Sequence, residues 1–567
     1  MTRIPGSLRN LAVLLVGTAA ATLFAGCPPG GEQRMADLVL VNGRILTLDN
    51  GHPEAEAVAV RDGLILEVGK SRRILSLAGD GTERIDLEGK LVIPGLTDAH
   101  GHLMSLGTRL ASLDLTETGS VEEILERVRR HAAGKPASAW ILGRGWDQND
   151  WPDKRFPHHR GLTGAAPRNP VFLRRIDGHA VWVNSRALEL AGIDASTKDP
   201  EGGRILREGG RPTGVLIDSA VDLVETLIPP PSRDEQMDRL ETAAQACLRS
   251  GLTSIHDAGV DRERIGLYRD LIDQGRLGIR VYAMLGGTGP METPDLSEPP
   301  LLSYGDGMLA VRSIKLGVDG ALGSRGAALL EPYSDDPDNS GLIVRPPGEI
   351  ASIAERALRM GYQVSVHAIG DRGNRLVLDA FQETFQKVPE GRKLRNRIEH
   401  AQILSAEDLP RLADLGIIAS MQPTHCTSDM YWAGERLGEA RTAGAYAWRT
   451  LLNSGARLVC GSDFPVESEE PLRGIYAAVT REDPSGWPEG GWHPEEKLTV
   501  QEAIRCFTED AAYAAFEEDR RGTIEPGKWA DFTVLSKDIT RIPHDEILTT
   551  EVEFTIVGGN VAYRKGS

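Results

Sequence analysis

The chain has 567 residues and carries 64 Lys and Arg against 82 Asp and Glu, a formal net charge of −18. That length excludes a single small module and implies three or four domains, or one large barrel with additions; the 40% hydrophobic content excludes an intrinsically disordered chain. The acidic balance, with no basic block, removes the attraction that dominates nucleic-acid binding, so a nucleic-acid partner is excluded.

In chain order, Arg3 and Arg9 precede an apolar run from Leu11 to Phe24, which is too short to cross the ~30 Å hydrocarbon core of a bilayer and has the proportions of a signal peptide. Its ending, Leu23-Phe24-Ala25-Gly26-Cys27, resembles a bacterial lipobox. The expectation is a signal peptide over 1–27, lipidation of Cys27, a Pro/Gly tether over 28–35, and an exported lipoprotein held at a membrane surface, on the periplasmic face or in the outer membrane. Cys27, Cys247, Cys426, Cys460 and Cys506 form no C-x-x-C pair, so neither a disulfide scaffold nor a thiolate zinc site is expected.

From Ala36 the pattern is β-like. Leu38–Val41 and Arg44–Leu48 flank Asn42-Gly43 and read as a hairpin; Ala57–Val60, Asp62-Gly63 and Leu64–Val68 repeat the pattern. Further strands are expected at Ala530–Leu535, Glu553–Val557 and Asn560–Tyr563. Both ends together read as one composite β-sandwich, residues 36–93 and 521–567, with the rest inserted between them.

The middle, 94–520, alternates short apolar runs with amphipathic helical stretches, as parallel β/α units do. Eight runs are countable: Leu91–Ile93 leading into Pro94–Asp98, Leu252–Ile255, Ile279–Ala283, Val311–Leu316, Gln363–His367, Asn396–His400, Ile417–Met421 and Arg457–Cys460. Eight such units close into a (β/α)8 TIM barrel, so the fold class is α/β. About 150 residues separate the first run from the second, which places an inserted subdomain at about 120–240, after strand one.

Asp98-Ala99-His100-Gly101-His102 follows the first run. Residues two apart in an extended segment share a face, so two imidazoles can reach one ion. Lys315, His367, His400 and Asp463 fall at the C-terminal ends of other strands, the end at which such barrels carry their active sites. Six polar side chains on one rim point to metal binding.

With Pro94-Gly95 before Asp98-x-His100-x-His102, one Lys on strand four, one His each on strands five and six and an Asp after strand eight, the chain resembles the metal-dependent amidohydrolase superfamily. Finer motifs are similar to its family 3 branch, which includes N-substituted formamide deformylases: Gly145-Trp146-Asp147, Asp177-Gly178-His179-Ala180, Asp319-Gly320-Ala321-Leu322, His367-Ala368-Ile369-Gly370-Asp371, Ile398-Glu399-His400-Ala401, Met421-Gln422-Pro423-Thr424-His425 and Gly461-Ser462-Asp463. The resemblance covers essentially the whole mature chain and implies a hydrolase cleaving a non-peptide C–N bond in a small-molecule amide, formamide or cyclic amide.

Imidazoles and a carboxylate suit zinc or a similar divalent ion. His100, His102 and Asp463 would hold one ion, and His367 and His400 a second. An ammonium repels a cation, and relatives with a strand-four lysine imply that Lys315 is carboxylated to bridge two ions; an unmodified Lys315 beside one ion, paired with an acid such as Asp319, stays open. Asp463 is the expected general base. His179 is the candidate oxyanion donor, His425 a candidate substrate contact, and His256-Asp257 a support for the metal-binding histidines. Trp146, Trp151, Trp182 and Trp432 read either as the walls of an apolar pocket or as packing, and Arg144, Arg174 and Arg175 as receivers of a carboxylate. A deaminase or C–O hydrolase, a binding lipoprotein without turnover, and oligomerisation all remain open at this point.

Overall fold

The computed structural model describes residues 35–286 and 292–566. The signal peptide, Cys27 and most of the tether lie outside the described residues.

Eight parallel strands form one nearly closed sheet in which spatial order follows chain order: β1 (Leu96–Gly101), β2 (Leu252–Val260), β3 (Arg280–Leu285), β4 (Leu309–Gly317), β5 (Gln363–Ala368), β6 (Arg397–His400), β7 (Ile418–Met421) and β8 (Leu458–Cys460). Nearly all of their residues are buried, because helices cover the outer face and side chains fill the inside. Helix starts are chemically marked. Ser232 and Glu235 form a reciprocal capping box on Arg233–Arg249, before β2, and Asp261 caps Arg262–Asp273 through the Arg264 N–H.

Strand β8 is only three residues long, so the seam to β1 is closed just beyond its end. The Asp463 N–H donates to the His100 carbonyl (2.7 Å) and the His102 N–H to that of Phe464 (2.9 Å). Gly461 lies against this seam: a Cβ there would meet Asp98 Oδ1 at 2.5 Å and the His100 nitrogen at 2.6 Å, so only glycine lets β1 and β8 approach this closely.

The structure departs from the sequence reading at three places. Leu91–Ile93 is not the start of the barrel. Leu91–Pro94 pairs with Arg44–Leu46 and Phe532–Leu535, and β1 begins after the turn at Gly95. One unbroken apolar run feeds both sheets, which periodicity cannot divide, and Asp98 and His100 therefore lie on β1 rather than after it. Asn42-Gly43 is a corner rather than a hairpin, because Ala36–Val41 and Arg44–Leu46 enter different sheets. Lastly, Cys460 and Cys506 form a disulfide, with Cα atoms 5.2 Å apart, joining β8 to the helix Val500–Cys506. Their separation of 46 residues carries no local signature.

Among the described residues there are three further sheets. One has six strands, ordered Asn560–Arg564, Val552–Val557, Phe532–Leu535, Leu91–Pro94, Arg44–Leu46, Glu54–Ala55, and so draws on both ends of the chain. A four-stranded sheet (Leu64–Gly69, Ala57–Arg61, Ala36–Val41, Ala78–Asp86) shares a buried cluster with it, in which Leu38, Leu40, Val58 and Val60 meet Val92, Phe532, Val534 and Ile556. The buried pair Arg280 to Asp531, at 2.7 and 3.0 Å, ties the six-stranded sheet to β3. Another six-stranded sheet spans Leu113–Asp114 to Arg211–Asp218, between β1 and β2. Trp146, Trp151 and Trp182 are fully buried in its core, with the Trp146 Nε1–H donating to the Leu173 carbonyl, so they serve packing.

Candidate metal centre and active site

The C-terminal ends of the barrel strands bring six polar side chains to one place. His100 is on β1 with His102 directly after it, Lys315 on β4, His367 on β5, His400 at the end of β6, and Asp463 in the turn beyond β8. His400 (φ 75°) and Asp463 (φ 60°) both hold left-handed backbone, a conformation costing about 1–3 kcal/mol for residues other than glycine. That strain aims both side chains inward. Asp98 fixes the turn, its carboxylate accepting from the His100 N–H (3.0 Å), the Ser462 N–H (3.0 Å) and the Ser462 hydroxyl (2.7 Å). Burial pushes the Asp98 carboxyl up to about 7 despite these donors.

Asp463 Oδ1 lies 3.0 Å from His102 Nε2 and 3.6 Å from His100 Nε2, and its Oδ2 lies 4.0 Å from His425 Nε2. The His400 ring sits 5.0 Å from that of His100, 4.5 Å from that of His367 and 6.0 Å from that of His425. One ligand atom each from His100, His400 and Asp463 falls within 4.8 Å of the others. His425, on the helix Pro423–Asp429 after β7, therefore borders the cluster.

The orientation of the rings is set from behind. His100 Nδ1 is 2.5 Å from Glu399 Oε2, His102 Nδ1 is 2.9 Å from the Ala258 carbonyl, and His400 Nδ1 is 2.7 Å from Gln422 Oε1. With the Nδ1–H of His100 and His400 donated outward, their Nε2 lone pairs are left for a cation, as metal-binding histidines require, while His102 Nε2 is engaged by Asp463. His100 Nε2 and His367 Nε2 are buried and have no hydrogen-bond partner, and Asp463 Oδ1, also buried, has none besides His102 Nε2 at 3.0 Å. Buried polar atoms left unsatisfied in this way are rare in native proteins, and a divalent cation held by His100, His400 and Asp463 would satisfy His100 Nε2 and Asp463 Oδ1 together. The donor set fits the ion.

Electrostatics agree with that fit. Burial lowers His100 to about 4 and His367 to about 3 and takes His400 well below the usual imidazole range, so all three are neutral at pH 7. Burial opposes ionisation of Asp463, yet its contact with His102 holds its carboxyl well below the ordinary value. Burial also pulls the Lys315 ammonium down, with the negative charges of Glu399 and Asp463 acting against it. Asp319 accepts from the N–H groups of Ala328 (2.9 Å), Ile369 (3.0 Å) and Gly370 (2.8 Å), and its Oδ1 lies 3.6 Å from His367 Nε2.

His179 is not brought into contact with this cluster. It borders the inserted sheet with its side chain 74% exposed and its Nδ1 2.9 Å from Asp218. Arg174 pairs with Glu225, Arg175 with Asp147 and Asp177, and Arg144 is exposed. Trp432 packs over Gly323 in the loop after β4. Asp257 holds the chain beyond His102 by accepting from the Leu103 N–H (2.9 Å). The sequence reading gave no role to Arg397, Glu399 or Gln422. The signal for the first two was two charged residues at i and i+2 on a strand otherwise flanked by core.

The sequence model of the amidohydrolase family matches residues 83–563. This chain belongs to that family. Among relatives of this amidohydrolase, the protein LONG AFTER FAR-RED 3 of Arabidopsis thaliana is 36% identical over 560 residues, covering 96% of this chain and 94% of that protein. The N-substituted formamide deformylase of Arthrobacter pascens is 30% identical over 552 residues, covering 94% and 99%. The crystal structure of an uncharacterized metal-dependent hydrolase from Pyrococcus furiosus superposes with a TM-score of 0.72 at 30% identity, covering 89% of this chain and all of that one. Membership makes the chain an enzyme acting on carbon–nitrogen bonds with a divalent metal, for which the His/Asp cluster is the candidate site.

Proposed function

We propose that this amidohydrolase cleaves a non-peptide C–N bond of a small amide, formamide or cyclic amide by attack of water at the His/Asp cluster. The supporting observation is the convergence of His100, His400 and Asp463 on one point, with His100 Nε2 buried and without a hydrogen-bond partner. A divalent ion bound there supplies Lewis acidity, lowering the pKa of water from 15.7 toward about 7 and polarising a carbonyl. The chain's own residues do the rest. Asp463, ionised at neutral pH, accepts a proton from the attacking water at Oδ2 and returns it to the leaving nitrogen as the C–N bond breaks. In this reading His179 would donate to the carbonyl oxygen as it gains charge, and His425, whose Nε2 lies 4.0 Å from that Asp463 oxygen, would contact the substrate.

His100, His102 and Asp463 would hold one zinc ion, and His367 and His400 a second. Lys315 would bridge the two as a carbamate: neutral amine adds to CO2, forming an N–C bond and releasing one proton. The burial that lowers its pKa favours the reactive amine. The grouping of His100, His400 and Asp463 around one point favours a single ion instead. Lys315→Ala decides between these readings by metal analysis: the ratio falls from near two ions per chain to near one, and an unchanged ratio removes the bridge.

The reaction itself is tested with a panel of N-formyl and N-acyl amines. Amine release that stops on chelation is the expected result; tight ligand binding without product would show a binding protein.

The same reading takes residues 36–93 and 521–567 as one β-sandwich, 94–520 as the barrel and about 120–240 as an inserted subdomain, supported by the cluster shared between the two terminal sheets. It also places the mature protein outside the cytosol on a lipidated Cys27. The Cys460–Cys506 disulfide supports export, since such bonds persist in oxidising compartments. Among the described residues, no helix is long and apolar enough to cross a membrane. The intact mass of the mature chain checks the anchor.

A further inference from the structure

We propose that Arg397 and Glu399 form a buried positioning relay, anchored by His256, that orients His100 and sets its strength as a metal ligand; the inference rests on the metal-centre reading above. Both residues are on β6, two apart, and both are fully buried inside the barrel. The Arg397 guanidinium reaches four strands. Its Nη2 donates to the Ala99 carbonyl (2.6 Å) on β1, to Ser420 Oγ (2.6 Å) on β7 and to Glu399 Oε2 (3.1 Å), and its Nη1 to His256 Nδ1 (2.9 Å) on β2. Glu399 Oε2 then meets His100 Nδ1 at 2.5 Å.

Three observations give this network a direction. A guanidinium only donates, so His256 Nδ1 must accept and the ring is neutral. Among these contacts Arg397 therefore has a single anion, Glu399, and the two charges are locked together. Glu399 in turn has a single imidazole, and that imidazole turns its other nitrogen, His100 Nε2, unsatisfied toward Asp463 at 3.6 Å. A buried Arg–Glu pair is a weak source of stability by itself, because apolar residues of similar volume serve as well. A carboxylate held against the outer nitrogen of a metal-binding histidine, by contrast, fixes its tautomer and raises its basicity.

The test is chelator competition for zinc on the purified full-length chain, with cobalt substitution as a second readout. Glu399→Gln keeps the shape and an acceptor for His100 Nδ1 but removes the charge. The expected result is a metal dissociation constant 10–100-fold higher, with displaced cobalt absorption bands and an unchanged number of ions per chain. Because Glu399→Gln leaves Arg397 uncompensated, the double variant Arg397→Gln/Glu399→Gln, which removes both charges, is measured beside it and should bind as weakly. Wild-type affinity in either variant that folds overturns the relay alone, as does loss of one ion with unchanged affinity for the other. A wild-type chain that takes up no ion removes the metal-centre reading, and the relay with it.

Discussion

Asp463→Asn, assayed on protein reconstituted to full metal content, lowers kcat by about 10²–10⁴-fold, the usual worth of a positioned proton acceptor. Asparagine keeps the shape of the side chain and an oxygen 3.0 Å from His102, but it cannot take up the proton of the attacking water. Since the wild-type carboxyl is held well below its ordinary value, the enzyme keeps this base ionised throughout pH 5–8, and no acid limb of kcat/KM in that window arises from it. Metal analysis accompanies the assay, because the same carboxylate is a candidate ligand. A metal-replete variant retaining more than a tenth of wild-type kcat would take the general-base role away from Asp463.

The second large effect is expected from His100→Ala combined with His102→Ala. Bound metal falls below a tenth of the wild-type content, activity is lost, and far-UV circular dichroism stays that of a folded barrel. The cost to the fold is limited. His102 is partly exposed, and losing His100 leaves Glu399 without one partner while Arg397 still compensates its charge, a penalty of about 1–3 kcal/mol. Full metal occupancy in this variant would remove the assigned site.

Much of the barrel was legible because its strands are short apolar runs punctuated by turn residues, and because polar side chains at the ends of such runs have one rim to occupy. His100, His102, Lys315, His367, His400 and Asp463 could be grouped on that argument alone. What stayed hidden depends on choices made in three dimensions. The sequence places the boundary between sandwich and barrel at 93/94, beside the turn at Gly95, but the apolar residues Leu91–Ile93 also count as the barrel's first run, because periodicity does not say which sheet they enter. Asn42-Gly43 specifies a tight turn but not the partners of the strands it joins. The pairing of Cys460 with Cys506 and the reach of Arg397 across four strands need the barrel closed before either contact exists. His179 sits in a motif as distinctive as the others, yet a motif carries no distance, and the structure leaves it exposed beside Asp218.

The six-stranded sheet that pairs Leu91–Pro94 with Phe532–Leu535 bears on how the molecule is made. Thr533 and Ile93 are register partners far apart in the chain, so this sheet cannot finish until the segment around Thr533 has been synthesised. During that interval Val92 and Ile45, both fully buried in the finished protein, lack the cover later given by Phe532 and Val534. The nascent chain thus presents an unfinished strand edge until that segment is made, and chaperone demand should be set by this late-closing sheet rather than by the barrel.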